Sequence, residues 1–378
     1  MSITTSYTRN SAIAFFFSAA LFAPNSLRAQ SPIEGKTAEQ VYKNIQVMNG
    51  TPASELTPAM HLISVSLGVT CEYCHEVRKE YEDTKEPKER ARVMMKMLAD
   101  INKNNFGGAQ MITCYTCHRG STKPVTMITL PLPAAKTAET PPSLPSVDDI
   151  LAKYVQALGG EQAIRKVTTR VITATGSVPT GPGGTIAVPA DLEQYQKGPN
   201  LIVDIYHTKA FTVSDGFDGT TKWNQDMQGR VTDALKIDQN RAKRDDNLYE
   251  SLDLKREYSS LAVSGVEKVN DRDAYLVVGS LDGDTPERLY FDTQTGLLIR
   301  KMTIFPTPAG NSPYLVDYGD YRDTGSGVKA PFLIQTTPAN PRTELSTSLT
   351  LRVQKIQDNV PLDDSRFVKP QPANKPTQ

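Results

Sequence analysis

The sequence predicts a multidomain fold: a compact, mainly α segment followed by a longer α+β segment built on a curved, half-barrel-like antiparallel sheet. Three observations predict it. All four cysteines fall within residues 71–117, a proline-rich stretch follows them, and beyond it the hydrophobic pattern changes from helical to strand-like.

Residues 1–29 read as a secretory signal peptide. Arg9 supplies the positive start, residues 12–23 are almost wholly apolar, and Leu27-Arg28-Ala29 places a small residue before a cleavage point at Gln30. The apolar run is too short to cross a bilayer and no later run is longer, so the mature chain is expected in the periplasm without a transmembrane span. No cysteine lies near the cleavage point to carry a lipid. The chain has 42 basic and 42 acidic residues, and loss of Arg9 and Arg28 leaves a formal charge of −2. A near-neutral chain without a basic stripe argues against nucleic acid as a partner.

Residues 30–123 form the expected first domain. Thr37-x-x-Gln40 reads as a capping box that opens a helix ending at Asn49-Gly50. Thr57 and Pro58 read as the N-cap and first residue of a second helix that ends at Gly68. On it Met60, Ile63, Ser64 and Leu67 share a face, with His61 about 100° away. A third helix is expected from near Pro87 to about Asn104, ahead of Gly107-Gly108, with Met94, Met97 and Ile101 as its buried stripe and Met95 pointing elsewhere.

The second and third helices each precede the same five-residue pattern. Cys71-Glu72-Tyr73-Cys74-His75 and Cys114-Tyr115-Thr116-Cys117-His118 are both C-x-x-C-H, and together they use every cysteine. The pattern marks covalent attachment of a c-type haem. Two thiols three residues apart can add across the vinyl groups of one porphyrin, and the adjacent imidazole then reaches the iron. Two haems, held by Cys71, Cys74, Cys114 and Cys117 with His75 and His118 as axial ligands, are therefore expected. A zinc site would use a different spacing and order, a dithiol redox motif is usually a single copy beside a strand–helix unit, and structural disulfides leave His75 and His118 unexplained. So small a domain has little apolar material of its own, and the haems are expected to form much of its core.

Residues 124–146 carry Pro124, Pro131, Pro133, Pro141, Pro142 and Pro145 among small and polar residues, and read as a semi-rigid linker. Residues 147–372 form the expected second domain. Ser146 caps a helix that ends at Leu158-Gly159-Gly160. Strand-like runs follow at 167–178, 201–207, 220–226, 261–269, 274–281, 287–292, 297–305, 314–321 and 345–355. Asp215-Gly216, Asp218-Gly219 and Thr295-Gly296 read as turns between them. One polar helical stretch, 234–258, interrupts the strands and is expected to cross the open face. Gly181-Pro182-Gly183-Gly184 lacks a phosphate-loop lysine and reads as a loop. Residues 373–378 read as a disordered tail.

The second axial ligand of each iron is left open by spacing alone: a methionine, a histidine or nothing. Met60 lies 11 residues before Cys71 and Met94 lies 20 before Cys114, while His61 and His207 are the remaining histidines. A methionine on an apolar helix face is also ordinary core filler. His207 reads as a strand residue, and Arg119 as either a propionate partner or a surface charge.

From Val41 to about Pro124 the sequence resembles the cytochrome c subunit of bacterial photosynthetic reaction centres. The residues that carry the likeness are Met60, Leu67-Gly68-Val69-Thr70-Cys71, Cys74-His75, Ala91-Arg92-Val93-Met94, Asp100-Ile101-Asn102 and Thr113 through Gly120. In that family a helix methionine upstream of most C-x-x-C-H motifs is the sixth ligand, which implies Met60 for the first haem and Met94 for the second. Members of the photosynthetic complex bind four haems, whereas this chain has motifs for two and appends an unrelated segment. More loosely, the second segment resembles periplasmic lipoprotein-sorting carriers. That likeness rests on Glu287-Arg288-Leu289-Tyr290-Phe291-Asp292, Asp317-Tyr318-Gly319-Asp320-Tyr321-Arg322, Val328-Lys329-Ala330-Pro331-Phe332 and Asn359-Val360-Pro361-Leu362-Asp363-Asp364. It implies an apolar ligand inside the sheet.

The function expected is outer-sphere electron transfer between periplasmic or membrane-bound donor and acceptor proteins, with no catalytic residues. Photosynthetic and respiratory partners both fit. The alternatives are a diheme enzyme such as a peroxidase, with one iron position open and His61, Glu72 or Glu76 nearby, and a lipid-binding module with the haems as a redox switch.

Overall fold

The computed structural model describes residues 33, 35–124, 126, 143–180, 186–234, 236–281, 285–338 and 350–371. The expected signal peptide, most of the proline-rich linker, the loop at 181–184, the beginning of the run expected at 345–355 and the 373–378 tail lie outside the described residues. Among the described residues no helix is long and apolar enough to cross a membrane.

The first region is helical: α1 (Ala38–Val41), α2 (Ala53–Leu67), α3 (Glu86–Phe106) and α4 (Cys114–His118). The Gln40 half of the expected capping box forms, its Oε1 accepting from Thr37 N at 3.0 Å, but α1 stops after one turn rather than running to Asn49. The chain leaves the helix because Asn44, at φ +60°, turns out to meet the loop before α3, where its side chain donates to the Tyr81 carbonyl at 2.5 Å. α2 begins one turn before the expected Thr57-Pro58, at Ala53 after Pro52. Pro58 is tolerated inside it because the carbonyl it leaves unpaired, that of Ser54, lies in the first turn. Gly68 ends the helix in the left-handed conformation. α3 matches its expected span, but its faces are rotated. Met95 packs into the apolar cluster with Ala59 and Ile63, while Met94 and Met97 are 44% and 47% exposed.

The second region opens with α5 (Val147–Ala157) and α6 (Glu161–Arg165). Ser146 Oγ accepts from Asp149 N at 3.1 Å, a cap typically contributing about 1 kcal/mol. Then come β1 (Thr169–Thr180), β2 (Ile186–Lys197), β3 (Leu201–His207), β4 (Thr212–Asp218), β5 (Lys222–Gln225) and β6 (Val231–Asp233). Two helices, α7 (Lys236–Asp245) and α8 (Glu250–Glu257), lead to β7 (Ser260–Val269), β8 (Arg272–Ser280), β9 (Glu287–Asp292), β10 (Leu298–Thr307), β11 (Gly310–Asp323), β12 (Lys329–Pro338) and β13 (Thr350–Asp358).

All thirteen strands form one open, antiparallel, curved sheet in the order β6-β5-β4-β3-β2-β1-β13-β12-β11-β10-β9-β8-β7. It is two meanders joined where β13 returns to pair with β1. Arg170 and Asp358 face each other across that seam, with Nε–Oδ1 at 2.7 Å and Nη2–Oδ2 at 3.2 Å, and the hydroxyls of Thr324 and Ser326 complete the carboxylate. β6 and β7 lie at opposite edges, so the chain between them must cross one face of the sheet. α7 and α8 are that crossing. The single expected helical stretch breaks at Asn247, whose side chain donates to Asp253 and Glu257 and accepts from Tyr249 N.

The main core lies where α5, α6 and α8 cover β8–β10. It joins Ile150, Leu151, Tyr154, Leu158, Ile164 and Leu254 to Val277, Leu289, Phe291 and Leu298. Asp215-Gly216, read as a turn, is instead the middle of β4. Gly216 pairs with Trp223, and a Cβ there would stand 2.6 Å from the indole Cζ2, so the missing side chain makes room for the ring. The strands that hydrophobic alternation did not reveal, β2, β4, β6 and β12, are polar, short or interrupted by proline and glycine.

Candidate functional site

The two C-x-x-C-H motifs sit in equivalent local structures. A long helix ends at a left-handed glycine, Gly68 after α2 and Gly107 after α3. An extended threonine follows directly before the first cysteine, Thr70 at ψ 170° and Thr113 at ψ 172°. The motif then winds into one turn, a 3-10 turn over Cys71–Tyr73 and the short α4 over Cys114–His118. One helical turn brings residues three and four apart to one side, which puts both thiols and the imidazole of a motif within reach of one ring.

Both motif histidines are held the same way. His75 Nδ1 lies 3.1 Å from the Glu80 carbonyl and His118 Nδ1 lies 2.9 Å from the Ser121 carbonyl. A carbonyl oxygen has no proton to give, so Nδ1 carries the hydrogen and donates it. Nε2 is then the lone-pair nitrogen, the form that ligates a metal. Burial, chiefly, keeps the His75 ring below its ordinary imidazole pKa, with Lys88 and Arg92 adding to it.

The carbonyl that orients His75 is itself anchored by buried cations of α3. Lys88 Nζ donates to the Glu80 carbonyl at 2.8 Å and the Glu82 carbonyl at 2.7 Å, and pairs with Asp83 at 2.9 Å. Arg92 also reaches Asp83 at 2.9 Å, and Arg92, Lys88 and Asn44 hold that carboxyl well below the usual carboxylate range. At the second site Asn102 does comparable work. Its amide donates to the Ile112 carbonyl at 2.8 Å and accepts from Ile112 N at 3.0 Å, which fixes the strand entering Cys114. Sequence reading missed Lys88 and Asp83. The one signal available was two cations, Lys88 and Arg92, four apart on one side of a helix.

The two sites touch. Gly120, just after the second motif, donates from its backbone to the Ser66 carbonyl at 2.9 Å, and a Cβ on Gly68 would stand 2.1 Å from the Gly120 carbonyl oxygen. Only glycine at 68 allows that approach. α2 is therefore clamped against α4, and Met60, Leu67, Met95 and Cys114 pack around Ala59 and Ile63.

The residues present fit haem. Among the described residues nine of the twelve exposed large hydrophobic side chains lie between Tyr73 and Tyr115, including Met94, Met97, Phe106 and Tyr115. An apolar surface so concentrated beside two thiol–imidazole sets suits a large flat apolar ring. No disulfide joins any two of the four cysteines, and no three His, Cys, Asp or Glu side chains converge among the described residues as tetrahedral zinc would require. Met60 is half-buried on α2 and Met94 is exposed on α3. His61 is half-buried, and burial lowers its pKa. His207 ends β3, its Nδ1 3.3 Å from Thr212 Oγ1, and stands apart from both motifs in the sheet.

Beside the apolar core, the covered face of the sheet also carries a buried cluster of ion pairs. Lys301 of β10 meets Asp245 at 3.0 Å, Glu250 at 3.3 Å and Glu287 at 3.7 Å, and Glu287 also takes Arg244 at 2.8 Å and the Tyr258 hydroxyl at 2.6 Å. Burial alone would lower the Lys301 ammonium, but Glu250, Asp245 and Glu287 together hold it well above its ordinary value. On the other meander a groove of about 580 Å³ is lined by Val203, Ile205, Trp223, Leu362 and Arg366.

Comparison with known proteins bears on the first region. The family model for the photosynthetic reaction centre cytochrome C subunit matches residues 3–144. The photosynthetic reaction center cytochrome c subunit of Rubrivivax gelatinosus is 32% identical over 109 residues, 28% of this chain and 30% of that protein. Its counterpart in Thermochromatium tepidum is 31% identical over 111 residues, covering 26% and 28%. Cytochrome c-554 of Chloroflexus aurantiacus is 31% identical over 85 residues, covering 21% and 20%. The chain thus spans less than a third of the length of these relatives. The second region resembles solved structures of a LolA superfamily protein from Nitrosomonas europaea and a DUF1329 family protein from Desulfovibrio piger. The first has 15% identity and a TM-score of 0.39, covering 60% of this chain and 99% of that one. The second has 13% identity and a TM-score of 0.40, covering 59% and 97%.

Proposed function

We propose that this chain is a periplasmic c-type cytochrome with two haems in residues 30–123, which passes electrons by outer-sphere transfer between protein partners. The observation that carries the reading is the matched histidine geometry. Both C-x-x-C-H imidazoles are fixed through Nδ1 to a backbone carbonyl, which leaves Nε2 for iron at both motifs.

Cys71 and Cys74 would hold one ring, and Cys114 and Cys117 the other. His75 and His118 would each offer a nitrogen, and Met60 and Met94 a soft sulfur that favours the ferrous state and raises the potential. Each haem held by these residues would supply a one-electron couple. What the chain itself does is hold those donors still. The Lys88–Glu80–His75 chain and the Asn102–Ile112 clamp keep them from rearranging with each electron, and the Gly68–Gly120 contact keeps the two attachment turns adjacent.

Residues 1–29 would direct export, and 124–146 would link the cytochrome domain to the sheet domain at 147–372. Donor and acceptor are redox proteins of the periplasm or the membrane surface. Mass spectrometry of chain secreted from a host that matures c-type cytochromes should show cleavage after Ala29 and two attached haems. Met60→Ala and Met94→Ala should each remove one of two methionine–iron charge-transfer bands. A bare peptide mass would overturn the reading, and unchanged bands in both variants would overturn the ligand assignment. Rapid carbon monoxide binding by the unchanged holoprotein would favour the enzyme with an open iron position.

A further inference from the structure

The sheet reaches the first region through the tight turn between β10 and β11. β10 and β11 pair as far as Thr307 and Gly310, so Pro308 and Ala309 form the tip, which lands against α2. Ala309 is 4% exposed and shares the apolar cluster of Ala59 and Ile63. Gln110 Nε2 donates to the Pro308 carbonyl at 3.0 Å. A Cβ on Gly310 would come within 2.8 Å of Thr113 Cγ2 and 3.4 Å of Leu62 Cδ2. Thr307 closes the turn from inside: its buried hydroxyl donates to the Gly310 carbonyl at 2.7 Å and accepts from Ala309 N at 3.2 Å.

Apart from Gln110, the groups that the tip touches lie on α2 or directly before Cys114. Ala59, Leu62 and Ile63 flank Met60 on α2, and Thr113 is the residue before Cys114. The turn thus covers the contact between the helix bearing one candidate ligand and the entrance to the other motif.

We propose that the Thr307–Gly310 turn is a positioning element for the haem segment: it holds α2, and with it Met60, against the chain entering Cys114, so that the sheet domain tunes the potential of at least one haem. This rests on the haem reading above. Its physical basis is close packing. A side chain as small as Ala309, seated among Ala59 and Ile63, leaves no slack, so withdrawing it uncovers the apolar face of α2 and frees Thr113 to shift.

Two variants of the full-length holoprotein test it. Ala309→Glu places a charge in the apolar cluster. Deletion of Pro306, Thr307, Gly310 and Asn311 retracts the hairpin by about 7 Å, two residues at about 3.4 Å each, and preserves the alternation of faces. With two haems attached and the sheet's thermal transition retained, we expect at least one midpoint potential to move by about 59 mV, the one-electron equivalent of a tenfold change. Limited proteolysis should also cut faster within residues 53–67. A control in the β7–β8 turn, Asn270→Gly, should leave potentials and cleavage unchanged. If both tip variants carry two haems with unaltered potentials and unaltered cleavage, the inference falls while the haem reading stands. If the unchanged chain carries no haem, the reading itself falls before any variant is compared. Should Ala309→Glu fail to fold, the shortened hairpin, which adds no charge, decides.

Discussion

Between residues 33 and 124 the side chains withdrawn from water are mostly small or polar, whereas beyond residue 146 many are large and aromatic. The first region buries Ala38, Ala53 and Ala59 with Leu56 and Ile63, alongside Ser66, Lys88, Arg92 and Asn102. The second fully buries Trp223, Phe217, Phe291, Phe367, Leu254 and Leu289. Exposed apolar side chains show the reverse distribution, gathering beside the two C-x-x-C-H motifs. At about 25 cal/mol per Å² of apolar surface, the first region lacks the residues to stabilise itself by burial, and the second does not. The contrast teaches that one region is built as the haem reading requires of a holder, whereas the other has a large apolar core of its own, beside which ion pairs such as Lys301 with Glu250 and Asp245 lie buried.

The comparison can be broken most severely at the cysteines. Replacing Cys71, Cys74, Cys114 and Cys117 by alanine should abolish ordered structure in residues 33–124 while the sheet keeps its cooperative transition. Limited proteolysis with calorimetry would read both, and a first region that stays resistant would refute the contrast. A smaller and opposite effect is expected from Leu254→Ala, which empties the sheet's core. It should cost about 2–5 kcal/mol in urea unfolding of the sheet, with the haem absorption bands unchanged under native conditions.

The smallest effect concerns charge. Burial first, then the neighbouring Asp215 carboxyl, pushes Asp204 well above the usual carboxylate range. A carboxyl whose pKa is raised by folding contributes most to stability below its unfolded value and loses that contribution as pH rises through its folded value. The sheet should therefore weaken between about pH 4, where unfolded aspartate titrates, and alkaline pH, and Asp204→Asn should flatten the decline. Parallel slopes in urea midpoints at pH 5 and pH 8 would show that Asp204 is not the group responsible.

How much of this was legible in the sequence differs by region. The motifs, the end of α2 at Gly68, the span of α3 and the Ser146 cap were readable because each depends on residues within one or two turns. The length of α1 was not, since Asn44 answers to the distant Tyr81 backbone. Nor was the face of α3, because two methionines in succession, Met94 and Met95, leave local periodicity unable to choose between them. In the sheet, alternation revealed most of the strands, both over the main core and on the other meander. It missed β2 and β12 at the centre, whose pairing is set by neighbours far along the chain.

By itself the sequence determined the chemistry on offer: two thiol pairs, each with its histidine, at a spacing that one helical turn brings within reach of one ring. Only the tertiary structure decided what holds those histidines, what presses α2 against Cys114, and which ion pairs are buried beside the sheet's apolar core. The reason is physical. Covalent reach is set by residues three and four apart, but a carbonyl such as that of Glu80, a cation such as Lys88 and a hairpin tip such as Ala309 act on the site only after the chain has brought them there.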